Sequence, residues 1–172
     1  MKVIDKVECI RQAQAKYEAY DPLFWTKEYF DEISGGYVVY HKDHNFTKTG
    51  GGGKAEKTVG EILAMYNGKQ VEFLPEGDDK SPDIRFDNHT WDIKYIEHSN
   101  EQTIRNHIKD ARKADNAIFY FTKAEKFEIF SNSVGREVGR FLKGQTSALP
   151  DIYYIDKKSL LKLFWEKQKE AK

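Results

Sequence analysis

Ala117–Phe121 (AIFYF) is a continuous run of apolar residues bounded by polar ones. A run of that length with no alternation is the pattern of a central strand covered on both faces. Its neighbours in the chain supply helical patterns. Residues Glu101 to Asp115 place Ile104, Ile108 and Ala111 on one face, and a second helix is expected near Ser133–Leu142. The fold class is therefore α/β, with layers of helix on a mixed sheet.

The remaining elements follow from periodicity and punctuation. A helix is predicted from Lys54 to Asn67, with Val59, Ile62, Leu63 and Tyr66 on one side and Gly68 as its stop. Three short strands are expected at Val71–Leu74, Asp83–Phe86 and Trp91–Ile96, the last two joined as a hairpin through Asp87–Thr90. A strand at Ile152–Ile155 and a carboxy-terminal helix from Lys158 complete the chain. The order from residue 54 is αβββαβ, then αβα.

The first third has a different texture. Residues 3–20 read as a helix carrying Val3, Val7, Ile10, Ala13 and Tyr17, and Asp21-Pro22 ends it. An aromatic-rich segment and a short strand YVVY follow, then a loop ending in four glycines, Gly50 to Gly53. Four consecutive glycines read as a flexible hinge. The expected division is an amino-terminal helical extension and hinge at 1–53, and the main domain at 54–172.

Composition narrows the function classes. The chain has 172 residues, enough for one ordinary domain with a short extension. Its 28 basic and 28 acidic groups exclude a blanket basic coat and an acidic tail. Residues 1–100 hold 13 basic against 18 acidic groups and residues 101–172 hold 15 against 10, so the second part can present a basic face to a polyanion. Scattered charge on helical surfaces gives the same numbers. The single cysteine, Cys9, rules out a disulfide framework and reads as a small packing residue. No apolar run approaches the length of a membrane helix, and the amino terminus has no signal-peptide core. The expectation is a chain folded in a reducing compartment, or a piece of something larger.

The chemistry concentrates between Ser81 and Lys94. Alternation on the third strand puts Trp91, Ile93 and Tyr95 on a core face and Asp92 and Lys94 on the other, about 7 Å apart along the strand. Asp83 opens the preceding strand, within reach of the same spot. Two close carboxylates repel, and a divalent cation with oxygen ligands, Mg2+ or Mn2+, relieves that. A lysine beside them can serve an attacking water or offset charge on a phosphorane. A solvated Asp-x-Lys face is the plainer reading of the triplet alone. On the preceding helix Glu56 falls on the core-facing side and Glu61 opposite it, so Glu56 is the third candidate acid.

Pro82-Asp83, eight residues, then Asp92-Ile93-Lys94 looks like the signature of the PD-(D/E)XK nuclease superfamily, whose core is αβββαβ. The resemblance implies a restriction-endonuclease-like, Mg2+-dependent phosphodiesterase. Asp83, Asp92 and Glu56 would be its metal ligands, and Lys94 its catalytic lysine. More narrowly, SGGYVVYHKDHNF, a helix ending in glycine, VEFLPE, PD, WDIK and a helix near Gln102-Thr103-Ile104 resemble the nuclease domains at the carboxy termini of contact-dependent inhibition and related mobile-element toxins. Several of those cleave transfer RNA. The resemblance covers about residues 34–122. It implies RNA as first substrate with DNA as the alternative, action in the cytoplasm of a target cell, and a cognate immunity protein. A nucleic-acid-binding or assembly domain without turnover is the other class of answer.

On the helix after the hairpin, Arg105, Lys109 and Arg112 form one basic stripe that can track a phosphate backbone. A partly neutralised helix face gives the same pattern. Gln102, Thr103 and His107 lie near enough to contact the scissile phosphate. Gly50–Lys54 lacks the spacing of a phosphate-binding loop. His41 and His44 bring no further ligand pair and read as surface-loop residues.

Overall fold

The computed structural model describes residues 5–46, 52–77, 81–96, 100–121, 125–146, 149–156 and 159–165. It is a mixed α/β structure that divides into two compact units, Met1–Asn88 and His89–Lys172.

In the first unit, helix α1 (Lys6–Glu18) starts at Asp5, whose side chain accepts a hydrogen bond from the Val7 amide. Only part of its expected apolar face packs. Tyr17 meets Phe30 and Tyr37 with ring centroids 5.5 and 5.4 Å apart, while Val7 stays exposed. Cys9 is exposed as well, which corrects its reading as a packing residue.

Strands β1 (Trp25–Phe30) and β2 (Tyr37–His41) pair antiparallel. Helix α2 (Gly52–Asn67) then crosses over, and β3 (Gln70–Phe73) returns parallel to β2. Strand β4 (Ile84–Phe86) pairs antiparallel with β3. The expected helical extension is thus corrected. Beyond α1 it supplies two strands of the sheet that α2 covers, because the aromatic and β-branched residues of WTKEYF and YVVY favour a pleated, half-buried surface.

The glycines also change meaning. Gly52 and Gly53 lie in the first turn of α2, not in a hinge, and Gly50 and Gly51 fall outside the described residues. A Cβ on Gly53 would stand 1.6 Å from the Phe46 carbonyl oxygen, and one on Gly36 would stand 1.8 Å from that of Ala64. Both glycines permit backbone contact that no side chain allows. Gly68 ends α2 with a φ of 61°, as expected.

The second unit is built by two crossovers. Strand β5 (His89–Tyr95) leads through α3 (Glu101–Asp110) and a 3-10 turn (Ala111–Lys113) to β6 (Asn116–Phe121). Helix α4 (Glu125–Leu142) then leads to β7 (Asp151–Asp156). β5, β6 and β7 are parallel, with β6 in the middle as its apolar run predicts. Strand β8 (Ser159–Trp165) pairs antiparallel with β7. That corrects the expected terminal helix. The open edge of β7 has amide and carbonyl groups to satisfy, and a chain that turns straight back can pair with them.

Helices α3 and α4 pack on one face of this sheet. Ile104, Ile108, Phe119, Phe121, Phe130 and Val134 are fully buried there. In the parallel register Asp92 stands beside Ala117, which stands beside Ile152, so all three point toward the helices. Asp92 and Lys94 therefore project into the helix-covered layer rather than into solvent.

Candidate functional site in two acidic centres

The second unit holds the Asp92 centre. Asp92 is 0% exposed on a strand otherwise flanked by Trp91 and Ile93, both buried. Its Oδ2 lies 2.7 Å from Lys94 Nζ and its Oδ1 lies 2.9 Å from Lys113 Nζ. The two ammoniums stand within ion-pair range, yet neither carboxylate oxygen gains a hydrogen bond of proper angle. The two ammoniums share this one buried carboxylate. His107, on α3, has its pKa lowered by burial and by the charge of Lys94, which outweigh Asp110 and Asp92. It is therefore a neutral imidazole at pH 7.

The basic stripe is only partly available. Arg105 Nε donates to Glu137 Oε1 at 2.8 Å, Arg140 Nη1 to the same oxygen at 3.4 Å, and Arg112 Nη2 stands 3.8 Å from Oε2. Glu137, on α4, is 0% exposed. Arg105 thus ties α3 to α4 through a buried carboxylate with Arg112 of the 3-10 turn in ion-pair range of it, while Lys109 is exposed. Gln102 donates to Asn106 across one turn of α3. Thr103 belongs to the cap, its amide and hydroxyl both bonded to Asn100 Oδ1.

The first unit holds the other acids. Glu56 is half-buried on α2 and Glu61 is exposed. His44, read from sequence as a surface residue, is buried. Its Nδ1 donates to the Leu74 carbonyl at 2.7 Å and its Nε2 lies 3.4 Å from Glu56 Oε2. Burial works against the imidazolium, but the bonds to Glu56 and Leu74 and the charges of Glu56 and Asp83 outweigh it and raise the His44 pKa. The Leu74 amide in turn donates to the Asp83 carbonyl at 2.9 Å. His44 thus senses both acids that sequence reasoning placed in this part of the chain. His41 sits at the end of β2, its Nδ1 3.5 Å from Asp43 Oδ2.

Sequence reasoning missed the buried His44 and Glu137 and the half-buried Lys113. Alternation cannot flag a lysine in a 3-10 turn, nor an acid on a helix whose neighbours are unknown. A further buried acid, Glu72 on β3, accepts from Tyr20 Oη and from Arg85 Nη1, the latter at 3.3 Å. A cleft of about 400 Å³ in the first unit is lined by Cys9, Lys16, Lys69 and Asp87 among others, and by none of the expected site residues.

A divalent cation needs several oxygen donors at once. Among the described residues no group of three or more His, Cys, Asp and Glu side chains is placed to hold one. Asp92 already has an ammonium at each oxygen. The described residues as they stand do not form a preformed Mg2+ or Mn2+ site.

No helix among the described residues is long and apolar enough to cross a membrane. No curated protein and no solved structure matched the chain. Residues 80–159 match the family model of the contact-dependent growth inhibition CdiA C-terminal domain. The matched stretch contains Asp83, Asp92, Lys94, Lys113 and Glu137, and leaves out His44 and Glu56. That match supports the toxin family of contact-dependent inhibition as the one this part of the chain resembles.

Proposed function

We propose that the chain is a nuclease toxin that hydrolyses phosphodiester bonds of RNA, with transfer RNA as first substrate. The observation that carries this reading is the buried Asp92 carboxylate with Lys94 and Lys113 at its two oxygens, inside the stretch that matches a toxin domain. A cation held by a buried acid is pre-organised to meet a phosphate. It has little solvent to reorganise as negative charge builds on the phosphorane. Lys94 and its neighbour supply that charge, and neutral His107 can accept a proton. Transfer RNA rests on the resemblance of WDIK and its surroundings to toxins that cut it.

The PD-(D/E)XK signature adds Asp83 and Glu56 to Asp92 by sequence, and with them a restriction-endonuclease-like αβββαβ core and a divalent ion, Mg2+ or Mn2+. The order α2, β3, β4, β5, α3, β6 along the chain agrees with that core. Among the described residues the donors do not assemble for the ion, so no step is assigned to it. A toxin of this kind would reach its target cell as part of a larger protein. It would be neutralised in the producing cell by a cognate immunity protein.

The test is a cleavage assay with total transfer RNA and with plasmid DNA, in magnesium and in chelator, with D92A and K94A as controls. Discrete RNA fragments that vanish in both variants support the reading. Cutting of DNA alone keeps the fold and replaces the substrate. No cutting of either leaves a nucleic-acid-binding domain without turnover.

A further inference from the structure

Asp92 sits where a carboxylate is expensive. Burying one costs several kcal/mol unless cations and hydrogen bonds compensate it. The sequence signature accounts for one of its two cations, Lys94. The other, Lys113, comes from the 3-10 turn after α3 and is no part of that signature. Lys94 and Lys113 keep 18% and 20% of their side chains accessible, while Asp92 beneath them has none. An anion arriving at this point meets two ammoniums before it meets the carboxylate. A divalent cation arriving there meets the same two charges and is repelled by both.

We propose that Lys113 is a site residue that forms, with Lys94, a two-ammonium seat for one phosphodiester phosphate, and that Asp92 orients the two lysines rather than ligating a metal ion. The proposal deepens the nuclease reading and rests on it. Asp92 fixes both chains from below, which spares the entropy of ordering two flexible lysines when the phosphate arrives. The seat then places positive charge on the phosphate oxygens that become more negative in the transition state.

The test uses the full chain and a readout independent of turnover. In ¹H–¹⁵N NMR, titration with inorganic phosphate should shift the amides of residues 91–95 and 111–114. The response should be lost in K113Q and kept in K113R. Titration of the same sample with Mn2+ should give no broadening centred on residues 91–95. Phosphate shifts that persist in K113Q would overturn the proposal, and so would Mn2+ broadening there that D92N abolishes. Should K113Q fail to fold, D92N/K113Q leaves no unpaired carboxylate and gives the same comparison against D92N. In the cleavage assay K113Q should lose about 100-fold in kcat/KM, and wild type should cut in chelator. Wild type that cuts only with magnesium overturns the metal-free part. If wild type cuts neither RNA nor DNA, the nuclease reading fails, while the phosphate and Mn2+ titrations still decide the seat.

Discussion

His44 Nε2 lies 3.4 Å from Glu56 Oε2 while the same ring's Nδ1 donates to the Leu74 carbonyl at 2.7 Å. A neutral imidazole has one N–H, so serving both partners requires the imidazolium. That is the physical content of its raised pKa, and it makes His44 the opposite of His107, whose pKa burial and Lys94 lower. The two histidines should therefore titrate on opposite sides of pH 6.5 when followed by NMR of their ring protons. The stability that His44 contributes is fully present below the unfolded value near 6.5 and is lost as pH rises through its higher folded value. His107 works the other way: its contribution is present above 6.5 and is lost as pH falls toward its lower folded value. Two histidines titrating together at the unperturbed value would contradict both environments.

Glu137 is a buried acid that faces three arginines. Removing it leaves Arg105, Arg112 and Arg140 facing one another with no carboxylate between them. Breaking a buried charge cluster from one side costs about 3–5 kcal/mol. E137A should accordingly lower Tm by about 6–20 °C at the usual 2–4 °C per kcal/mol for a chain of this size. E137Q keeps the volume and an acceptor oxygen and should lose less. Thermal unfolding by circular dichroism measures both.

Much of the fold could be read because its elements carry strong local signals. The apolar run at β6, the helical spacing of Ile104, Ile108 and Ala111, and the stop at Gly68 all state their role within a few residues. Three features could not be read that way. Gly52 and Gly53 look like a hinge in isolation, and only the approach of Phe46 shows that α2 begins there. β8 is defined by the edge of β7 that it pairs with. The Asp-x-Lys triplet alone reads as a solvated face, whereas α3 with α4 covers that face of β5 and leaves Asp92 buried. Lys113 and Glu137 acquire meaning only from what packs against them.

Gly36 tests the packing of α2 on β2. Any Cβ there meets the Ala64 carbonyl carbon at 2.5 Å as well as its oxygen at 1.8 Å, and a helix backbone cannot yield as a side chain can. G36A should destabilise the protein by about 3 kcal/mol or more, toward the upper end for overpacking. Gly135, on α4, has nothing within 4 Å of its would-be Cβ. G135A should instead stabilise by about 0.4–1 kcal/mol, through helix propensity and a less flexible unfolded chain. Urea denaturation of the two variants should move the midpoint in opposite directions.

Lys109 and Arg105 divide the basic stripe into two jobs. Lys109 is exposed on α3, whereas Arg105 is tied to Glu137. If the stripe meets a phosphate backbone, Lys109 meets it at little cost to the fold. K109A should then weaken RNA binding uniformly across sequences and flatten the log Kd against log salt slope by about 0.7, one contact to a single strand. Its Tm should stay within about 1 °C of wild type, as for other exposed substitutions away from packing features. R105A should behave differently, lowering Tm because Glu137 loses its best-aligned donor. Binding measured by fluorescence anisotropy across a salt series, with Tm measured in parallel, separates the two. An unchanged salt slope in K109A would take α3 out of the nucleic-acid surface.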